Sequence, residues 1–159
     1  SDALTGCMNR RGFIEKTLQM NRDHEGEELL ILFADLDHLK EINDSFGHIE
    51  GDFSIRHCAE VLKKVVGADG IVGRIGGDEF CVVTLGNLKD GQQIIERIRE
   101  ESDAFNCTSD KEYYVELSAG CTSVICRNGL VIADALREAD RALYEVKKLR
   151  RNSVKKIRL

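Results

Sequence analysis

The chain has 159 residues, a formal net charge of −5, 42% hydrophobic and 32% charged residues, the balance of a soluble globular domain with its own core. The negative charge argues against a sequence-independent grip on nucleic-acid phosphates. No apolar run approaches the ~18 residues that would span a bilayer, so no membrane contact is expected. The six cysteines, Cys7, Cys58, Cys81, Cys107, Cys121 and Cys126, form no C-x-x-C pair. Several sit inside apolar patterns, which reads as reduced, buried thiols in a cytoplasmic protein rather than disulfides or zinc ligands. The start at Ser1-Asp2 lacks Met. We therefore expect residues 1–159 to be one domain taken from a larger signalling protein.

Asn9 to Arg22 reads as a helix with Phe13, Ile14 and Leu18 on one face. Leu29 to Ala34 is apolar without alternation, as in a central strand covered on both faces. Asp37 is placed to cap a short helix ending at Phe46, with Gly47 in the left-handed position after it. A second helix is predicted from about Gly51 to Val66, striped by Ile55, Cys58, Ala59, Leu62, Val65 and Val66. Ile71 to Ile75 and Glu79 to Leu85 form a hairpin around Gly76-Gly77, glycine accepting the positive φ of a tight turn. Asp90 to Phe105 is helical with Ile94, Ile95 and Ile98 inward. Tyr113 to Cys126 is strand-like, and Val131 to Leu149 is a helix with Leu136, Ala139, Leu143 and Val146 inward. Val154 to Ile157 can add an edge strand. The expected class is α/β (α+β), a mixed sheet of about five strands flanked by helices.

Asp35 closes a buried strand, where a carboxylate is costly unless hydrogen-bonded or metal-bound. If that strand neighbours the hairpin, Asp35 meets Asp78 or Glu79 at one end of the sheet. Such carboxylates suit a hard divalent cation working with substrate phosphates; otherwise they are a strand end, a cap and a solvated acidic corner. Lys40 follows in the next helix. Lys147 and Arg151 recur four apart on the last helix, as a phosphate clamp or as cations favoured by the helix dipole. Asn43 and Asp52 flank the Gly47-His48 turn. They are turn and cap residues, or they read a guanine edge, since a carboxylate accepts from guanine's ring N–H and amino group. His24, His38, His48 and His57 have no metal-ligand spacing.

Several ordered motifs resemble those of the GGDEF domain family, the catalytic domains of diguanylate cyclases. They are Asp2-Ala3-Leu4-Thr5-Gly6 with Asn9-Arg10-Arg11; Phe33-Ala34-Asp35-Leu36-Asp37-His38-Leu39-Lys40 through Asn43; Gly51-Asp52; and Gly76-Gly77-Asp78-Glu79-Phe80. Ser118-Ala119-Gly120, Ala139-Asp140, Ala142-Leu143-Tyr144, Lys147 and Arg151-Asn152 continue the match. The resemblance implies a fold related to the palm of nucleotide polymerases and adenylyl cyclases. It implies condensation of two GTP into cyclic di-GMP, a bacterial second messenger, with release of two pyrophosphates by a homodimer holding one GTP per subunit. In that reading Asp35, the Leu36 carbonyl and Asp78 hold Mg²⁺ (or Mn²⁺). Asp78, Glu79 and Lys40 form the catalytic group, with Glu79 beside the attacking 3′-hydroxyl. Backbone around His38 and Leu39, with Lys40, Lys147 and Arg151, holds the phosphates. Asn43 and Asp52 select guanine, and Gly76 and Gly77 keep side chains away from the substrate. Gly67 and Gly70 stand where many members carry the Arg-x-x-Asp product-binding site, so that site is expected to be absent. Cys7, Leu39 and Arg150 also depart from the family pattern. The alternative is a non-catalytic, nucleotide-binding relay domain.

Overall fold

The structure is a computed structural model describing the backbone of residues 1–158 and the side chains of residues 1–149. The elements run α1 (Arg10–Asp23), β1 (Glu28–Leu36), α2 (Leu39–Phe46), α3 (His48–Val66), β2 (Ile71–Arg74), β3 (Glu79–Leu85), α4 (Leu88–Thr108), β4 (Leu117–Ile125) and α5 (Ile132–Arg158). The sheet has four strands in the order β2-β3-β1-β4, and each neighbouring pair is antiparallel. The α+β class stands, but the expected mixed sheet of five strands does not. Val154–Ile157 continues α5 instead of forming an edge strand. No Gly or Pro lies between Leu149 and Val154 to end the helix. The one parallel contact among the described residues is an isolated bridge between Met8 and Gly73.

β1 is central and covered on both faces, as its unbroken apolar run predicts. Side chains alternate between the faces. Leu32, Ala34 and Leu36 join Phe80 and Val82 under Ile55, Cys58 and Leu62 of α3 and Ile98 of α4. Leu29, Ile31 and Phe33 join Cys81 and Val83 under Phe13 of α1 and Ala135, Ala139 and Leu143 of α5. Gly120 permits the second packing, because a Cβ there would fall 2.3 Å from the Leu143 backbone nitrogen.

Several local expectations shift. The buried positions of α1 are Phe13, Thr17 and Asn21, whereas Leu18 is exposed. Asn21 faces inward because its amide both donates to and accepts from the Arg127 backbone, at 3.0 Å each way. The predicted helix at Asp90 begins earlier, at Leu88, since Asn87 and Asp90 form a capping box. Asp37 does not cap α2; His38 occupies that position with φ 61°. Gly47 has the expected positive φ, 91°, but α3 starts directly after it rather than at Gly51. Cys7, Cys58, Cys81 and Cys126 are buried, and all six cysteines are free thiols. Burial raises the Cys58 and Cys81 thiol pKa values further. Among the described residues, no helix is long and apolar enough to cross a membrane.

Candidate active site

The site forms where β1 ends beside the hairpin. Register places Asp35 opposite Glu79 on one side and Ser118 on the other. The Leu36 N–H donates to the Asp78 carbonyl at 3.0 Å, fixing Asp78 next to the strand end. Asp35 Oδ2 accepts from Lys147 Nζ, an ion pair between β1 and α5. Asp35 Oδ1 is buried and has no hydrogen-bond partner. Burial pushes the Asp35 carboxyl up to about 6; Lys147 opposes the shift and the neighbouring Asp78 carboxylate reinforces it. Two ionised carboxylates offer acceptors only, so this oxygen is satisfied by a proton or by a cation.

Asp37, two residues on, reaches toward β4. Both its oxygens accept from Ser118 Oγ at 2.9 Å, tying the strand end to β4. The Glu79 carboxylate lies against the hairpin tip, its Oε1 2.9 Å from the point where a Gly76 Cβ would sit. The sequence left open whether Asp78 or Glu79 meets Asp35, and the structure selects Asp78. Among the described residues no group of three acidic, thiol or imidazole side chains gathers in metal-binding geometry. A cation here would therefore draw on two carboxylates and backbone oxygen.

The hairpin closes through the Ile75 and Gly76 N–H groups, which donate to the Glu79 carbonyl at 2.8 and 3.3 Å. Neither Gly76 nor Gly77 has a positive φ, so the turn does not need glycine for the expected conformational reason. Gly76 instead leaves room for the Glu79 carboxylate. Gly77 is exposed, and a Cβ there would meet nothing within 4 Å.

The sequence reading assigned no role to Arg74, which governs this tip. Its Nη2 and Nε donate to the Gly77 carbonyl at 2.8 and 3.2 Å. Its Nη1 donates to both oxygens of Asp2 at 3.2 Å. Asp2 also accepts from the Thr5 N–H and hydroxyl at 2.9 and 2.7 Å. Together these bonds hold the Asp2 carboxyl below its ordinary range, against the opposing effect of burial. The available signal was Arg74 standing just before the Gly-Gly turn while Asp2 opened the first motif.

A second cluster lies on α2 and α3. Asn43 packs over Gly51, where an added Cβ would fall 1.8 Å from Asn43 Oδ1. Asp52 follows Gly51 and is exposed. Glu50 accepts from Tyr113 Oη at 2.6 Å and pairs with Lys111 at 2.8 Å, tying the loop before β4 to this end of α3. Leu39 and Lys40 form the first turn of α2, with Lys40 exposed beyond the αL residue His38. Arg151 belongs to α5, but its side chain lies outside the described residues. Gly67, with φ 79°, closes α3.

The chain matches the family described as "Diguanylate cyclase, GGDEF domain" over residues 1–153. It is 38% identical over 153 residues to diguanylate cyclase DgcP of Escherichia coli K12, covering 93% of this chain and 44% of DgcP. It is 32% identical over 155 residues to the cyclic di-GMP phosphodiesterase NbdA of Pseudomonas aeruginosa, covering 96% of this chain and 20% of NbdA. The chain thus spans less than half the length of these curated relatives. Its structure resembles the GGDEF domain of DgcB from Caulobacter crescentus, solved in complex with c-di-GMP. The TM-score is 0.83 at 27% identity, covering 93% of this chain and 90% of that one. With the fold, the hairpin signature and the family match over residues 1–153 in agreement, the chain belongs to the GGDEF domain family of diguanylate cyclases.

Proposed function

We propose that this domain is an active diguanylate cyclase that condenses two GTP into cyclic di-GMP as a homodimer in the cytoplasm. The observation that carries the reading is Asp35 Oδ1, buried without a partner beside Asp78. An unpartnered buried carboxylate oxygen is costly and is kept where it has a ligand to meet. Asp35, Asp78 and the Leu36 carbonyl would hold Mg²⁺ (or Mn²⁺), which when bound supplies positive charge at the phosphate oxygens and acidifies a nearby hydroxyl.

The chain's own residues divide the remaining work. Lys147 pairs with Asp35 in the free domain and, with Lys40 and Arg151, would neutralise the β- and γ-phosphates. The N–H groups opening α2 near His38 and Leu39 add donors with no side-chain cap competing for them. Asn43 and Asp52 take the guanine edge. Asp52 repels adenine, which offers a lone pair where guanine offers an N–H. Gly77 lets the substrate approach the hairpin backbone. Glu79 accepts the proton of the 3′-hydroxyl as that oxygen bonds to the partner nucleotide's α-phosphorus; the bond to the bridging oxygen breaks, and pyrophosphate leaves.

The test is to incubate concentrated protein with GTP and Mg²⁺ and to separate the nucleotides. Cyclic di-GMP and pyrophosphate are expected from the wild type and neither from Asp35→Ala. Absence of product from the wild type would overturn the reading. GTP binding without product would instead establish a nucleotide-binding relay domain. Two observations favour that second reading: Lys147 already occupies Asp35, and a relative of this chain is named for phosphodiesterase rather than cyclase activity.

A further inference from the structure

The corner that joins α2 to α3 is one residue long. Gly47 alone separates Phe46 from His48. Its φ is 91°, and a Cβ there would meet nothing within 4 Å. Glycine permits many backbone angles, so neither sterics nor packing at the corner itself restricts the angle between the helices. Tyr113, from the loop between α4 and β4, touches both of them. Its ring centroid lies 5.2 Å from that of Phe46, the last residue of α2. Its hydroxyl donates to Glu50 Oε1 of α3 at 2.6 Å, across 63 positions of sequence. Lys111 of the same loop pairs with that oxygen at 2.8 Å and stands 4.4 Å over the Phe53 ring. Lys111 first, and Tyr113 second, hold the Glu50 carboxyl below its ordinary range. Burial and the bond to Glu50 push the Tyr113 hydroxyl up to about 12, against Ser54, so it keeps the proton it donates. The loop is anchored in turn. The Asn106 side chain bonds both backbone groups of Val115, at 2.9 and 3.0 Å, and the Glu116 carbonyl accepts from the Asp37 N–H at 2.9 Å.

This inference rests on the guanine-reading role proposed for Asn43 and Asp52 and deepens it. Asn43 lies on α2, three residues before Phe46, and Asp52 lies on α3, two residues after Glu50. The two can serve one base only while the helices keep their spacing, because a displacement of about 1 Å breaks a positioned contact. Asn43 packed over Gly51 sets how closely the helices approach, but it does not stop them opening. We infer that Tyr113 is a positioning residue for base selection. It struts α2 against α3 across the Gly47 corner and keeps Asn43 and Asp52 at the separation one guanine requires. The reacting centre is built on β1, the hairpin and α5. Tyr113 therefore governs affinity and base preference rather than the chemical step.

The test titrates the whole domain, in Mg²⁺, with a GTP analogue and an ATP analogue whose α–β bridge is a methylene group, so that neither reacts. The wild type should prefer the GTP analogue. Tyr113→Phe keeps the ring against Phe46 and removes only the bond to Glu50. It should bind the GTP analogue about tenfold more weakly, and the ATP analogue within about twofold of wild type. With GTP itself, KM should rise while kcat stays within about twofold. Asn87→Ala breaks the capping box of α4 and controls for stability alone. It should lower the melting temperature and leave base preference unchanged. Wild-type preference in Tyr113→Phe would overturn the strut alone, as would an equal loss of preference in Asn87→Ala. A wild type that binds both analogues alike would overturn the guanine-reading role and the strut with it. Turnover is read separately: a wild type that prefers the GTP analogue but forms no cyclic di-GMP refutes only the cyclase reading.

Discussion

Lys147 of α5 is ion-paired with Asp35 at the end of β1. A cation from the last helix thus stands against the central carboxylate of the site. The pair joins residues 112 positions apart, and both are largely shielded, with side-chain exposures of 33% and 14%. It offsets the Asp35 charge only in part, since burial still holds that carboxyl near 6 against an ordinary 3.8.

The sign of the resulting pH dependence follows. The folded carboxyl binds its proton more tightly than the unfolded one, so Asp35 costs the fold nothing below about pH 3.8. The cost grows as pH rises through the interval and is complete above about 6. Asp35→Asn removes it. That shift already includes the Lys147 pair, so the variant should be more stable by about 3 kcal/mol at pH 7.5, some 6–12 °C in melting temperature. At pH 3.5 it should melt with the wild type. Mg²⁺ should raise the melting temperature of the wild type and leave that of Asp35→Asn unmoved. Calorimetry at the two pH values checks both points, and equal melting at pH 7.5 would contradict the burial argument.

The two hairpin glycines should respond differently. Gly77→Val adds a side chain where nothing lies within 4 Å and φ is not positive. Its melting temperature should stay within about 2 °C of wild type, a surface substitution's effect. Turnover should nevertheless be lost, because the side chain covers the backbone that the substrate approaches. Gly76→Ala instead forces the Glu79 carboxylate to move, being 2.9 Å from the new Cβ. It should lower the turnover rate without changing GTP affinity. Full activity in Gly77→Val would remove the proposed role of that glycine.

Arg74 links the N-terminal turn to the hairpin tip. Arg74→Ala loses the Asp2 ion pair and two hydrogen bonds to the Gly77 carbonyl, which should cost about 2–3 kcal/mol. Arg74→Lys should recover little, since an ammonium cannot serve a carboxylate and a carbonyl through one planar fork. A double-mutant cycle with Asp2→Ala should show coupling of about 1 kcal/mol or more. Additive effects in that cycle would mean that the two ends are independent.

Gly51→Ala separates recognition from stability. Helix propensity favours the alanine by about 0.5–1 kcal/mol. However, its Cβ would fall 1.8 Å from Asn43 Oδ1, the end of a side chain that can swing away. The variant should melt at or near the wild-type temperature while losing discrimination between GTP and ATP at least tenfold. Competition binding with the two nucleotides reads this directly, and unchanged selectivity would exclude Asn43 from guanine recognition.

Much of this protein was legible before folding was considered. The apolar run from Leu29 to Ala34 specified a strand covered on both faces, because nothing polar interrupts it. The stripe from Ile55 to Val65 specified α3. The ordered carboxylates, glycines and lysines specified the family, since each motif carries its chemistry in adjacent residues. Local patterns did not decide relations between distant segments. The antiparallel register set Asp35 opposite Glu79, yet a backbone bond from Leu36 chose Asp78 as its electrostatic neighbour. Asp37 looked like a helix cap until Ser118, 81 residues away, took both its oxygens. The Gly-Gly turn kept its place but changed its reason, from backbone conformation to space for Glu79. Side-chain spacing along a chain sets periodicity and local chemistry. Which carboxylate is buried, which cation meets it and what shape lies beside it depend on how helices from opposite ends of the chain pack on one sheet.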